Sequence, residues 1–337
     1  MFSESPSLSP ESPSSADTQS PDGIDRRGFL ECMAWAGTGL VWSASGGILS
    51  SQVFGAEDSA TRPADFTFVQ ISDSHIGFAK PPNTDVVATL QETVARINSL
   101  KTPPALLLHT GDLTHLAKPK EFDTVAEILK SAKVGARVYV PGEHDVFTDD
   151  AKLYLERFGR GTRGTGWQSF DHRGVHFIGL VNVMNLKAGG LGAIGSEQLA
   201  WLKKDVAPLA DSTPIVVFAH VPLWTVYPQW GWGTEDGVEA LSYLRRFGSV
   251  TVLNGHIHQI LQKVEGNITF HTARSTAFPQ PEPGNAESPG PLKSVPAEKL
   301  RSMLGLTHVR YVNARTPLAI VDATLDVGSR SARAKQS

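Results

Sequence analysis

Acidic and imidazole residues recur at the ends of short apolar runs through the middle of this chain, and that recurrence limits its possible folds more than any other feature. FTFVQIS (66–72) runs into Asp73 and His75, and ALLLHTG (105–111) into Asp112. RVYVPG (137–142) leads to Glu143, His144 and Asp145, PIVVFAH (214–220) ends in His220, and VTVLNGH (250–256) ends in His256 with His258 two residues on. Runs of this length, rich in Val, Ile, Leu and Phe and closed by Gly or Pro, predict buried strands. Sites in open α/β sheets form beyond the carboxyl ends of strands, so residues at several strand ends can converge on one place. Asp73 and His75, like His256 and His258, are spaced i, i+2, which puts both side chains on one face of an extended backbone.

The segments between these runs predict helices. Over 84–100, Val86, Leu90, Val94 and Ile97 form one stripe at helical spacing. Further helices are expected at 121–132, around 154–158, at 196–209 with Ser196 as N-cap, near 237–247 and at 297–304. Additional strands are expected at 167–170 and 175–181 around a DHRG turn, and at 259–264, 268–272, 308–312 and 318–322. The Pro/Gly/Ser-rich stretch 278–297 reads as a loop. The mixture predicts an α/β fold over residues 64–325, with the later hairpins supplying a second sheet.

The 337 residues carry a formal net charge of −3 and 40% hydrophobic side chains, a balance that gives no basic field for nucleic acid. Residues 1–23, rich in Ser, Pro and acidic groups, are expected to be disordered, as is the short basic tail 326–337. Residues 24–56 resemble a twin-arginine export signal: adjacent Arg26 and Arg27 precede Phe29 and Leu30, and a weakly apolar Gly/Ala/Ser-rich stretch follows, too short and polar for a membrane span. Cleavage is expected near Gly55 or Ala56. The resemblance implies recognition by the twin-arginine machinery and a periplasmic or otherwise exported protein without a stable membrane span. The one cysteine, Cys32, falls in that segment, so any metal must be held by histidine and oxygen ligands.

The ordered set DxH, GD, GxHD, H, GHxH resembles the calcineurin-like metallophosphoesterase family over about residues 66 to 270. The resemblance implies an α/β (α+β) fold, a four-layer αββα sandwich of two mixed β-sheets flanked by helices. It implies that Asp73, His75 and His258 hold one metal, that His220 and His256 hold a second, and that Asp112 bridges them together with a water. His144 is then the outer histidine near the leaving group, with Asp145 orienting it. Two cations roughly 3.5–4 Å apart activate a shared water and clamp a phosphoryl oxygen, and mixed imidazole–carboxylate ligands suit Fe, Mn or Zn. The implied activity is hydrolysis of a small phosphate ester, as a phosphodiesterase or a phosphomonoesterase. A non-catalytic metal-binding envelope protein on the same scaffold is the reading from another class.

One position departs from the family pattern. The third motif has Glu143 where the family has Asn, which replaces a neutral carbonyl by a charge and removes an N–H donor. Glu143 either ligates the second metal, tightening it and making the centre less electrophilic, or turns away and leaves one metal firmly held. Among the remaining residues, His115 is a candidate substrate contact or a surface histidine. Trp224 and Trp230, with Tyr227 and Trp232, either wall a cleft for the leaving group or pack as a loop. His109 reads as a core histidine, His172 and His176 as structural or exposed, and Asn254 as the cap of a strand end.

Overall fold

The computed structural model describes residues 39–45, 48–54, 65–312 and 315–326. The chain divides into two units, 1–61 and 62–337. In the first, β1 (Gly39–Ser45) pairs antiparallel with β2 (Ile48–Phe54). That hairpin falls in the stretch read as the apolar part of the export signal, where no strand was expected. Its GLVWSAS and ILSSQVF segments mix aliphatic and aromatic residues with serine, a composition that suits strands. The arginine pair, residues 1–23 and residues 327–337 lie outside the described residues, and no described helix is long and apolar enough to cross a membrane.

The second unit holds two sheets. One is ordered β13-β12-β3-β4-β5. Its strands β3 (Phe66–Ile71), β4 (Leu106–His109) and β5 (Ala136–Tyr139) run parallel, while β12 (Gly305–Val312) and β13 (Arg315–Thr324) add antiparallel. The other, ordered β10-β11-β9-β8-β7-β6, comprises β6 (Gln168–His172), β7 (Val175–Gly179), β8 (Ile215–Ala219), β9 (Val250–Asn254), β10 (Gln262–Glu265) and β11 (Ile268–Thr272). Here β7, β8, β9 and β11 are parallel, and β6 and β10 antiparallel.

The two-residue period of the strands divides their side chains between layers. Phe68, Leu106, Leu108, Phe177, Val216, Phe218 and Leu253 meet in one core between the sheets. Their neighbours Val69, Ile71 and Leu107 pack outward, beneath α1 (Val86–Asn98), α2 (Pro119–Lys130), α3 (Lys152–Phe158) and α6 (Ala297–Met303). Ile215, Val217 and Ala219 pack beneath α4 (Ser196–Val206) and α5 (Gly237–Ser242). The layers are therefore helix, sheet, sheet, helix, and the inner strands β4, β7, β8 and β9 are buried on both faces because each has an apolar partner on both.

Helix boundaries follow their caps. Asp85 accepts the Ala88 amide at 2.9 Å and opens α1. Ser196 does not cap α4 as expected; it is the first helical residue. The amides before it are instead held from across the loop, Ile194 N and Gly195 N donating to the Asp236 carboxylate at 2.9 and 2.8 Å. His176 is buried between Asp171 and Asp205, at 2.8 and 2.9 Å, and His172 lies edge-on to Phe66. Asn254 does more than cap β9: its amide donates to the Ala219 and Val221 carbonyls, tying the exit of β8 to that of β9.

Candidate metal centre

Five side chains expected to bind metal sit on backbone that L-residues rarely adopt. Asp73, His75, Asp112, His256 and His258 have φ of 54°, 41°, 53°, 70° and 53°. Left-handed backbone at a non-glycine residue costs energy and persists where surrounding structure enforces it. Here the loops enforce it by pairing beyond the strand ends: Asp73 N donates to Gly111 O at 3.0 Å, His75 N to Asp112 O at 2.9 Å, and His115 N to Ile76 O at 2.9 Å. Gly111 has φ +97°, and a Cβ there would strike the His220 ring; a Cβ on Gly142 would strike the Asp112 carboxylate. Glycine at 142 is thus required by close approach of two ligand loops.

These loops bring the expected ligands into two overlapping groups. Ligand atoms of Asp73, His75 and His258 lie within 4.8 Å of one another, as do those of Glu143, His220 and His256. Asp112 lies between them. Its Oδ1 accepts the His144 amide at 2.9 Å, which turns Oδ2 toward both groups, 3.5 Å from His75 Nε2 and 3.4 Å from His220 Nε2. Glu143 does not turn away from the cluster: Oε2 is 2.9 Å from His220 Nε2, and Oε1 is 3.0 Å from His256 Nδ1.

The donor chemistry of this cluster fits cations. His258 Nδ1 donates to the Phe278 carbonyl at 2.5 Å, and His220 Nδ1 to the Thr110 carbonyl at 2.7 Å. In neutral imidazoles those bonds leave bare Nε2 lone pairs facing inward. One faces His75 Nε2 at 3.3 Å and the other faces carboxylate oxygens. Lone pairs so opposed repel unless a cation, or a proton, lies between them. Without metal the proton fills that role. Burial lowers the His220 pKa, but the Asp112 and Glu143 carboxylates outweigh it and hold His220 well above the ordinary histidine range. Burial likewise raises Glu143, and His256 and His220 outweigh it and hold the carboxyl well below its usual range.

The family model of calcineurin-like phosphoesterases matches residues 66–260, which contain all seven of these ligands. The chain belongs to the calcineurin-like phosphoesterase family. It is a phosphoric ester hydrolase whose ligand groups provide for metal ions. A 3′,5′-cyclic-nucleotide phosphodiesterase of Nostoc is 26% identical to it over 219 residues, covering 63% of this chain and 79% of that protein. A glycerophosphodiester phosphodiesterase of Enterobacter lignolyticus is 22% identical over 202 residues, covering 58% and 71%. In fold, a dimetal phosphatase from Danio rerio superposes with a TM-score of 0.56 at 15% identity, over 77% of this chain and 98% of that one.

The outer pair of this phosphoesterase is arranged differently from expectation. Asp145 does not hold the His144 ring. Its carboxylate is saturated by four donors: the amides of Leu113 (3.0 Å), Thr114 (2.8 Å) and Gly142 (2.9 Å), and the Thr114 hydroxyl (2.8 Å). Asp145 therefore clamps the loop after β4 to the loop after β5, the loops that carry Asp112 and Glu143, and makes no hydrogen bond to the His144 ring. Burial and the nearby Asp112 charge push its pKa up to about 7 against those donors. His144 Nδ1 instead donates to the His115 carbonyl at 2.8 Å.

The cluster opens into a pocket of about 840 Å³. His115 and His144 line it, as expected of substrate-facing residues, together with Asp112, Glu143 and His256. Trp224 and Trp230 do not. Trp224 packs on Phe270 and Trp230 on Tyr227 and Trp232, so of that aromatic loop only Trp232 reaches the pocket. Phe78 and Phe278, packed at a tilt with ring centroids 4.4 Å apart, form the apolar wall. Neither ring is legible in the sequence, since each lies in a loop segment, three residues after His75 or Ser275, with no aromatic periodicity. His109 is fully buried and shares a 2.8 Å hydrogen bond with Ser74, between the ligands Asp73 and His75.

Proposed function

We propose that this phosphoesterase is an exported phosphodiesterase with two metal ions, one held by Asp73, His75 and His258, the other by Glu143, His220 and His256, with Asp112 shared. Iron, manganese or zinc suits this ligand set. The ions would supply Lewis acidity and an activated water.

The observation that carries the choice of diester is Glu143. It adds a third carboxylate to Asp73 and Asp112 in one cluster of ligand atoms. A phosphomonoester approaches neutral pH with nearly two negative charges and a diester with one, so an added carboxylate disfavours the monoester more. The apolar walls beside the cluster, Phe78, Phe278 and Trp232, give the second ester group a place to lie. Both curated relatives named above are phosphodiesterases. His144, its Nδ1–H anchored on the His115 carbonyl, has Nε2 free to protonate the departing alkoxide. Burial lowers its pKa, but Asp112 and Glu143 outweigh that and keep it raised.

The Arg26–Arg27 pair followed by Phe29 and Leu30 supports delivery by the twin-arginine machinery, which carries proteins already folded around their metal. Nothing in composition supports nucleic acid as substrate, since the chain has 34 acidic against 31 basic residues. The test is metal analysis of the purified protein alongside turnover of a 4-nitrophenyl diester and the matching monoester. Two ions per chain and a preference for the diester of at least about 10-fold in kcat/KM, about 1.4 kcal/mol, are expected. Preference for the monoester, or no turnover with any of the three metals, overturns the reading.

A further inference from the structure

His75 is set apart from His258 and His220 by what holds its second nitrogen. Its Nε2 points into the first ligand group, 3.3 Å from His258 Nε2 and 3.5 Å from Asp112 Oδ2. A ligating nitrogen carries its lone pair toward the metal, so the ring proton must sit on Nδ1 and needs an acceptor. His258 and His220 give their Nδ1 protons to backbone carbonyls. His75 Nδ1 has instead the side chain of His115, whose Nδ1 lies 3.4 Å away.

We propose that His115 is the positioning partner of the metal ligand His75, and that this role turns its other nitrogen into a fixed hydrogen-bond donor for the substrate phosphate. To accept from His75, His115 Nδ1 must be bare, which places the single ring proton of His115 on Nε2. Nε2 lies on the far side of the ring from His75 and makes no hydrogen bond among the described residues, in a half-buried side chain that lines the pocket. A proton on Nδ1 would set two N–H groups head to head, so the bond to His75 dictates the tautomer.

The same residue governs its neighbour through the backbone. The His115 carbonyl takes the Nδ1–H of His144 at 2.8 Å, and the two rings stack at 4.9 Å with 16° between their planes. One residue thus fixes the proton on a metal ligand with its ring and the proton on the outer histidine with its carbonyl. His115 is held to this task by its own amide, which donates to Ile76 O at 2.9 Å in the pairing of the two ligand loops.

The inference rests on the proposed two-metal reading, and substitution can separate its two halves. His115→Phe keeps a stacking ring and removes both nitrogens. His115→Asn places a carbonyl oxygen where Nδ1 was and offers nothing at Nε2. His115→Gln reverses this, reaching the Nε2 position with an amide N–H. All three keep the main-chain carbonyl that holds His144. Zinc affinity is read by competition with a chromophoric chelator, and kcat and KM with a 4-nitrophenyl phosphodiester. His115→Phe is expected to weaken one of two zinc sites by about 10- to 100-fold. His115→Asn should restore zinc affinity while kcat/KM stays depressed by about 10-fold or more, the loss of one hydrogen bond to a charged group. His115→Gln should leave zinc binding weak yet recover turnover at saturating zinc.

Wild-type zinc affinity in the Phe variant overturns the positioning role, and recovery of both properties in the Asn variant overturns the donor role. A wild-type protein that binds no second ion fails the two-metal reading instead. Two-bond proton–nitrogen correlation spectra of the zinc-loaded wild type give the same answer without substitution. The expected pattern is Nδ1–H on His75 and Nε2–H on His115, and Nδ1–H on His115 overturns the proposal.

Discussion

The two halves of the proposed metal centre differ in how deeply they are built into the fold. Asp73, His75 and His258 are 0, 3 and 2% exposed. Asp73 also accepts the His256 amide at 3.1 Å, its carbonyl takes the Ser275 hydroxyl, and the neighbouring Ser74 is braced by His109 and Thr276. In the second half His220 is equally sealed, but Glu143 and His256 are half-buried and line the pocket. Glu143 holds no loop together; its carboxylate contacts only ligand histidines among the ion pairs. The first half is therefore part of the architecture, whereas the second contains a position, 143, whose side chain contacts the cluster and holds no loop. That is where this chain departs from its family.

Asp112 joins the halves, and removing its shared oxygen should have the largest effect. In Asp112→Asn the amide oxygen can still accept from His144 N, so the loops remain folded. The amide nitrogen replacing Oδ2 cannot ligate a cation. Metal analysis should show loss of the paired site. Loss of two-metal stabilisation worth several kcal/mol should lower kcat/KM by at least about 10³-fold. Retention of two ions per chain would falsify the bridging role.

Glu143→Asn acts on the second half alone. The added carboxylate strengthens cation binding there, so its replacement should weaken the second ion by about 10- to 100-fold, comparable to other ligand-environment changes. First-site affinity should stay unchanged. At saturating metal the variant should have the higher kcat for a diester, since the centre regains positive charge. Unchanged stoichiometry, affinity and metal preference would show that Glu143 is no ligand.

What was legible in the sequence was whatever depended on periodicity and on strand ends. Apolar runs placed β3, β4, β8 and β9, and the ligand residues follow directly from their carboxyl termini. What depended on long-range packing was not legible. Asp145 was assigned to its sequence neighbour His144, but a saturated carboxylate can be recognised only once Leu113, Thr114 and Gly142 are seen to surround it. The choice of Trp232 over Trp224 and Trp230 is likewise decided by the turn of one loop, where Tyr227 and Trp232 pair across a 3-10 turn. Sequence spacing carries no information about which ring of such a loop faces a cavity.

The bracing of the first half can be loosened by acid, a smaller effect than either ligand change. Burial lowers His109 from 6.5 to about 3, so the native state holds it neutral against Ser74. A group whose folded pKa is depressed stabilises the fold fully above its unfolded pKa, and that contribution is lost as pH falls toward the folded value. For His109 the loss begins near pH 6.5 and amounts to about 2 kcal/mol by about pH 5. A glutamine at this position can still bond Ser74 but does not titrate. His109→Gln should be somewhat less stable than wild type at pH 8, through imperfect packing, yet lose less stability on acidification. Urea midpoints of the metal-free proteins at pH 8 and pH 5 measure this, with the other buried histidines common to both chains. Equal declines in the two proteins would show that the acid sensitivity lies in the ligand histidines themselves, and that His109 does not brace the first half through its neutral form.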